Sequence, residues 1–511
     1  MSNLKKQKIV ESAPHSTSNR QKIVESVPQT GFFGHPKGLF TLFFTEFWER
    51  FSYYGMKAIL VYYMYYSVSK GGLGISQQTA LAIASVYGSL VYMSGIIGGW
   101  VSDRIIGSSK SVLYGGILIM FGHIALSVPG SMTMFFVSMV LIVLGSGLLK
   151  PNISTVLGEM YDINDARRDA AFSIFYMGVN LGAFVAPLVV GTIGLKYNFH
   201  LGFGLAAIGM FLALIVYSLQ KKKNLGLAGT FVHNPLSEEE KKKAFVKIGL
   251  PAIVVIALII IAGFTGALTV QRFIDLVGVL GFVIPTLYFI VMYRSPKTTK
   301  EERSNLLAYI PLFLAAVMFW SIEEQGSTIL ANFADKRTQL DFAGIHINQA
   351  WFQSLNPLFI VAFAPIVGSL WVKLGNKQPS IPTKFGFGLL FAGLSFVVIL
   401  VPAWLGGNNA LVNPLWLVLS YFVVVIGELC LSPVGLSATT KLAPAAFSAQ
   451  MMSMWFLANA AAQALNAQIV KFYTPQTEMM YFGTIGVASI VLSIILFALS
   501  PKIKTFMKGI N

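Results

Sequence analysis

The chain has 511 residues, of which 55% are apolar and 11% charged, and its net charge is +16. Mean hydropathy is +0.68. A charged share less than half that of soluble domains excludes an ordinary water-soluble fold, and the length of the apolar runs favours spanning helices over barrel strands.

In chain order, residues 1–36 are polar and basic with no short apolar core, so they read as a disordered cytoplasmic tail rather than a secretion signal. QKIVESAP at 7–14 recurs as QKIVESVP at 21–28. Segments apolar enough to span follow at 37–66, 77–101, 110–128, 132–158, 170–194, 199–218, 248–266, 273–293, 305–333, 349–372, 384–403, 411–440, 446–470 and 478–500. The fold class this predicts is an all-α integral membrane protein with 14 transmembrane helices. The organisation is a six-helix bundle at 37–220, a cytoplasmic linker at 221–247, an extra helix pair at 248–294, a second six-helix bundle at 295–500 and a cytoplasmic tail at 501–511.

With the N-terminus inside, 28 of the 37 Lys and Arg residues fall on the cytoplasmic side and 6 outside. That bias predicts both termini in the cytoplasm. It also accounts for the basic net charge by its place on one membrane face, with no nucleic acid partner. GGWVSDRIIG (98–107) follows the second span, and GSLWVKLGNK (368–377) is a degenerate counterpart in the later half. Two repeated halves predict a transporter with its site between them near the midplane. The single cysteine, Cys430, offers neither an internal disulfide nor a metal motif.

The first span carries Glu46, Glu49, Arg50 and Lys57 within TEFWERFSYYGMKAIL. At about 100° per residue these four share one face with Tyr53 and Tyr54. Such a stripe faces a bundle or a wet cavity rather than lipid. Further charges lie in other spans: Lys150 in GSGLLKPNIS, Glu323 and Glu324 in FWSIEEQGSTIL, and Glu428 in IGELCLSPVGLSATTK. The leading half thus supplies the buried cations Arg50, Lys57 and Lys150, and the trailing half supplies three carboxylates. A zwitterion matches both walls. An extended di- or tripeptide, about 7–10 Å between its charged ends at about 3.3–3.6 Å per residue, fits that separation better than a single amino acid.

Depth along the helices, at about 1.5 Å per residue, predicts partners. Glu46 and Lys150 lie at similar depth and are expected to meet. Lys57 and Glu324 both lie nearer the outer side and are expected to form a gate between the halves. Glu323 and Glu324 differ by about 100°, so one faces the substrate and the other serves the gate; Glu323 is assigned to substrate and Glu324 to the gate. A carboxylate in a low-dielectric cavity favours its neutral form and a nearby cation opposes this. Glu46 and Glu49 beside Arg50 and Lys150 stand between the two pulls and are expected to couple protons to substrate.

The motifs carrying these charges resemble the proton-dependent oligopeptide transporter (POT) family of the major facilitator superfamily, in its bacterial form. EFWERFSYYG (46–55), GWVSDRIIG (99–107), FYMGVNLGAFVAPLVVG (175–191) and GELCLSPVGLSATTKLAP (427–444) carry the resemblance. It implies that Arg50 and Lys150, with Tyr54 and Tyr92, receive the peptide carboxylate. It further implies that Asn180, Asn356 and Glu428 take the amino end and backbone, that Trp455 and Asn459 line side-chain pockets, and that Glu46 and Glu49 carry the proton. Animal members rely on a second-helix histidine; here that region reads SVYGSLVYMSG (85–95), so the carboxylates carry the coupling. The implied function is proton-coupled uptake of di- and tripeptides by alternating access, as a monomer in the lipid of the cell membrane. The alternatives are a carrier of another zwitterionic or anionic solute, or a peptide sensor that does not accumulate its ligand.

The remaining features are read structurally. His123 is expected to be a satisfied core residue. Tyr62, Tyr63, Tyr65 and Tyr66 suggest an interfacial belt. Gln463, Asn466 and Gln468 suggest interhelical hydrogen bonds. Pro151, Pro187, Pro357 and Pro433 mark helix interruptions. No GxxxxGK[ST] loop is present, so no ATP chemistry, enzyme activity, cofactor or metal is expected; the proton gradient is the energy source.

Overall fold

The computed structural model describes residues 14–507 other than 163–164, 233, 245, 247–248, 251–253, 255–256, 258–260, 264, 268 and 408–409. Most of the span expected at 248–266 therefore lies outside the described residues. The helices are α1 (Pro14–Ser26), α2 (Lys37–Tyr65), α3 (Gln77–Val101), α4 (Ser108–Leu126), α5 (Met132–Glu159), α6 (Arg167–Ala186) and α7 (Phe199–Gln220). After the linker come α8 (Val270–Arg294), α9 (Lys300–Glu323), α10 (Ile329–Arg337), α11 (Leu355–Leu374), α12 (Ile381–Gly406), α13 (Pro414–Lys441), α14 (Ser448–Ile469) and α15 (Glu478–Phe506).

Among the described residues, eleven helical stretches are long and apolar enough to cross a membrane. Helices α2 and α14 are also of spanning length but are not among the eleven. Ionisable groups interrupt the apolar character of α2, and Asn, Gln and Ser that of α14. One departure from an all-helical chain is the small hairpin of Asp341–Phe342 with Ile345–His346.

In the leading half α2 packs between α6 and α7, while α4 packs on α5 and α7. In the trailing half α12 packs on α13 and α15, and α9 on α14. The halves meet where α3 lies against α14 and α6 against α11; α8 packs on α14 and α3. Close approach of α6 to α2 requires Gly182: a Cβ there would run into the Phe47 carbonyl and lie 2.9 Å from Arg50 Cβ.

Helix α9 does not run through as one span. It tightens into a 3-10 turn at Glu324–Ser327 before α10 begins. Gly326 lies in the turn, and Tyr421 donates a 2.9 Å hydrogen bond to its freed carbonyl. Broken helices of this kind are tolerated at membrane depth where they line a cavity. Pro187 opens a π-turn to Gly191, whereas Pro357 sits in the first turn of α11 and interrupts nothing.

The tail expected to be disordered is structured from Pro14. Ile23 and Val27, from the second QKIVES copy, are buried against Tyr161, Leu225 and Ala228. Arg20 donates to the Tyr161 carbonyl at 3.3 Å, and Ser26 Oγ accepts from the Leu227 amide at 2.9 Å. Arg167 pairs with Asp165 at 2.8 Å and donates to the carbonyls of Gln29 and Gly34. The reason is a local apolar pocket that a composition-based reading does not see.

Candidate functional site

A cavity of about 210 Å³ lies between the halves. Helix α2 contributes Tyr54 and Lys57 to its wall, α3 contributes Tyr92, and α6 contributes Asn180. From the trailing half come Trp320 and Glu323 of α9, Glu324 of the 3-10 turn, Asn356 of α11, and Tyr421 and Glu428 of α13. The break after Glu323 matters here: the adjacent carboxylates of Glu323 and Glu324 both reach one cavity.

Lys57 Nζ lies 2.7 Å from Glu324 Oε2 and joins the two halves. The same carboxylate accepts from Tyr92 Oη at 2.8 Å and from Gln463 Nε2 at 2.7 Å. Glu324 is thus met by a cation and two neutral donors, which suits a buried anion. Across the cavity, Asn356 Nδ2 donates to Glu323 Oε1 and to Glu428 Oε2, each at 3.1 Å. The indole N–H of Trp320, in the same wall, is buried and has no partner among the described residues. Asn180 Nδ2 donates to the Tyr176 carbonyl one turn back, at 2.9 Å.

Beside the cavity lies a second charged group. Arg50 Nε is 2.8 Å from Glu46 Oε1 and 2.6 Å from Glu49 Oε2, with Glu49 fully buried. Lys150 makes no ion pair among the described residues. Its ammonium sits 4.0 Å from the centroid of the Tyr53 ring and 5.7 Å from that of Tyr92, a cation–π arrangement. The expected meeting of Glu46 with Lys150 is therefore replaced by Glu46 with Arg50. Both carboxylates lie within one turn of Arg50 on the same helix and reach it without crossing to α5.

Of the residues expected at the substrate, the wall includes Tyr54, Tyr92, Asn180, Glu323, Asn356 and Glu428, together with the gate pair Lys57 and Glu324. It does not include Arg50, Lys150, Trp455 or Asn459. Of the three buried cations only Lys57 reaches the wall. Trp455 is held in apolar surroundings, 6.5 Å from the Trp320 ring and 6.4 Å from that of Phe385, over Gly435, where a Cβ would collide with the indole. Asn459 is buried, and its Oδ1 has no partner among the described residues.

Sequence reasoning missed a set of contacts between the halves. Tyr62 and Tyr63 are fully buried rather than interfacial. Tyr62 donates to the Ala331 carbonyl at 3.0 Å, while Tyr65 and Tyr66 donate to Asp335 at 2.9 and 2.6 Å. Gln77 donates to Asn332 at 3.1 Å nearby. The signal available was Asp335, an acid at the end of an apolar run, but nothing in the sequence places it opposite the tyrosines. Asn466 and Gln468 do make interhelical bonds, to Ser321 and to the Ile274 carbonyl. His123 is buried, but neither ring nitrogen has a partner among the described residues, so it is not the satisfied residue expected.

A many-helix membrane protein with a charged cavity between two helical halves, entered by a broken helix, belongs to the class of secondary carriers. Residues 109–488 match the profile of the POT family, and the chain belongs to that family. It is 62% identical over 483 residues to the uncharacterized transporter YclF of Bacillus subtilis, covering 94% of this chain and 97% of that one. It is 47% identical over 487 residues to a di-/tripeptide transporter of Lactococcus lactis subsp. cremoris, covering 94% and 98%. Its structure is similar to that of a peptide transporter POT crystallised with sulfate, with a TM-score of 0.94, 69% identity, and 96% and 99% of the two chains covered.

Proposed function

We propose that this chain is a proton-coupled symporter that takes up di- and tripeptides by alternating access. The observation that carries the reading is one cavity in which Lys57 bridges to Glu324 across the halves while Glu323 and Glu428 share Asn356. Glu428 and Asn356 receive the peptide amino end; Tyr54, Tyr92 and Asn180 hold the backbone and carboxyl end. Arg50 and Lys150, behind the wall, act on the carboxylate once the halves move. Glu46 and Glu49 carry the proton through their pairing with Arg50. No covalent chemistry or cofactor enters.

The carrier works as a monomer in the cell membrane with both termini in the cytoplasm. Its two six-helix halves, 37–220 and 295–500, rock about the site, and 248–294 has a structural role. In this orientation the contacts of Tyr62, Tyr65, Tyr66 and Lys57 close the outer side. The test is uptake of a labelled dipeptide by proteoliposomes with and without an outside-acid, inside-negative gradient. Accumulation only with the gradient supports the symporter. Binding without accumulation, or no competition by peptides, overturns it.

A further inference from the structure

The buried charges around the cavity balance in all but one place. Arg50 and Lys150 stand against Glu46 and Glu49, and Lys57 stands against Glu324. Glu323 and Glu428 remain. Among the described residues neither has a cation within ion-pair distance, and the donor they share is the neutral amide of Asn356. The aromatic neighbours do not fill the need: Tyr421 spends its hydroxyl on the Gly326 carbonyl, and the Trp320 indole is buried beside them without an acceptor among the described residues.

A zwitterionic peptide brings one ammonium group and satisfies one of the two carboxylates. Its own carboxylate cancels that charge, so the cavity as a whole stays doubly acidic. Buried anions are costly unless paired and hydrogen-bonded. The two acceptor oxygens each lie 3.1 Å from a single amide nitrogen, so one small polar group already spans both. An ammonium or guanidinium offers the same donors with a full positive charge.

We propose that Glu323 forms, with Asn356, a subsite for a cationic side chain, so that this carrier favours peptides bearing a lysyl or arginyl residue. The inference rests on the peptide reading above, with Glu428 taking the amino end and Glu323 the second cation. When the peptide has no basic side chain, a proton takes that place. Glu323 is then a specificity-determining residue, distinct from the gate carboxylate Glu324 next to it in sequence.

The experiment is competition in proteoliposomes by Ala-Ala, Ala-Lys and Ala-Glu, with wild type, Glu323→Gln and Glu323→Asp. Wild type is expected to favour Ala-Lys over Ala-Ala, and Ala-Ala over Ala-Glu. Glu323→Gln is expected to cut the Ala-Lys to Ala-Ala preference by about tenfold or more, the scale of one charge-assisted hydrogen bond, and Glu323→Asp to restore part of it. An unchanged preference in Glu323→Gln, with both peptides still carried, overturns the subsite and leaves the peptide reading standing. Equal inhibition of wild type by all three peptides also overturns the subsite, whether or not the variants fold. Failure of wild type to take up either Ala-Ala or Ala-Lys overturns the peptide reading and the subsite together.

Discussion

Lys57 Nζ and Glu324 Oε2 lie 2.7 Å apart although 267 residues separate them, and the pair is held in a setting with little access to water. Removing one partner strands the other. Lys57→Ala is expected to destabilise the protein by about 3–5 kcal/mol, the usual result of leaving one buried charge alone. Adding Glu324→Gln to it should recover much of that loss. Thermal unfolding of the purified single and double variants checks this; strictly additive losses would rule out the pairing as a coupled unit.

Glu46 and Glu49 share Arg50 and lie outside the cavity wall, so on the proposed coupling role neutralising either carboxylate breaks the link between proton and substrate and leaves the wall intact. Glu46→Gln and Glu49→Gln are expected to keep peptide exchange across vesicles of equal pH but to lose accumulation against a gradient. Full accumulation by both variants would remove them from the coupling path.

Gly182 lets α6 approach α2 at the level of Arg50. Gly182→Ala puts a methyl group into the Phe47 carbonyl, a backbone atom that yields less readily than a flexible side chain. The expected cost is about 1–3 kcal/mol, read as a lower unfolding temperature. Gly95, whose Cβ would meet nothing within 4 Å, is the matched control and should tolerate alanine with little change.

Asp165 accepts four hydrogen bonds from Arg167, three from the guanidinium at 2.8, 3.1 and 3.2 Å and one from the amide at 2.9 Å, and this holds its carboxyl below the ordinary carboxylate range. A depressed value means the contribution is present above the ordinary value, about 3.9, and is lost as pH falls through the folded one. Arg167 also holds the N-terminal segment through Gln29 and Gly34. Acidification below pH 4, or Asp165→Asn at neutral pH, is expected to speed proteolysis near residues 14–35. Equal cleavage rates of wild type and Asp165→Asn at pH 7 would detach Asp165 from this role.

The parts of the site legible from sequence were those governed by helical period and depth. Four charges on one face of α2 needed only about 100° per residue, and Lys57 with Glu324 needed only equal distance from a membrane face. The illegible parts depended on contacts between distant segments. Nothing local says that Arg50 pairs with both neighbouring glutamates and leaves Lys150 to an aromatic ring. Nor does composition show that α9 gives way to a 3-10 turn at Glu324, because Gln325 and Ser327 fit a helix and Gly326 alone only weakens one. The tyrosines after Leu60 have the composition of a membrane-surface girdle, and only the position of α10 makes them a contact between halves. The QKIVES copy that docks differs from its twin by Val27 in place of Ala13, a difference of two methyl groups whose weight depends on the pocket beneath.

Two sets of contacts fasten α10 by different chemistry. Arg337 is tied to Glu478 by a buried ion pair at 2.9 Å and donates to the carbonyls of Gly407 and Ala410. Toward α2, phenol hydroxyls reach one carbonyl and one carboxylate. Hydroxyl contacts exchange for water at a net cost of about 0.5–1.5 kcal/mol each when neutral, and somewhat more to a carboxylate, whereas a severed buried ion pair costs several-fold more. The molecule therefore has a preferred seam: when solvent enters between α2 and α10, the row of phenols wets and parts first, and the short helix leaves with the partner to which arginine has welded it.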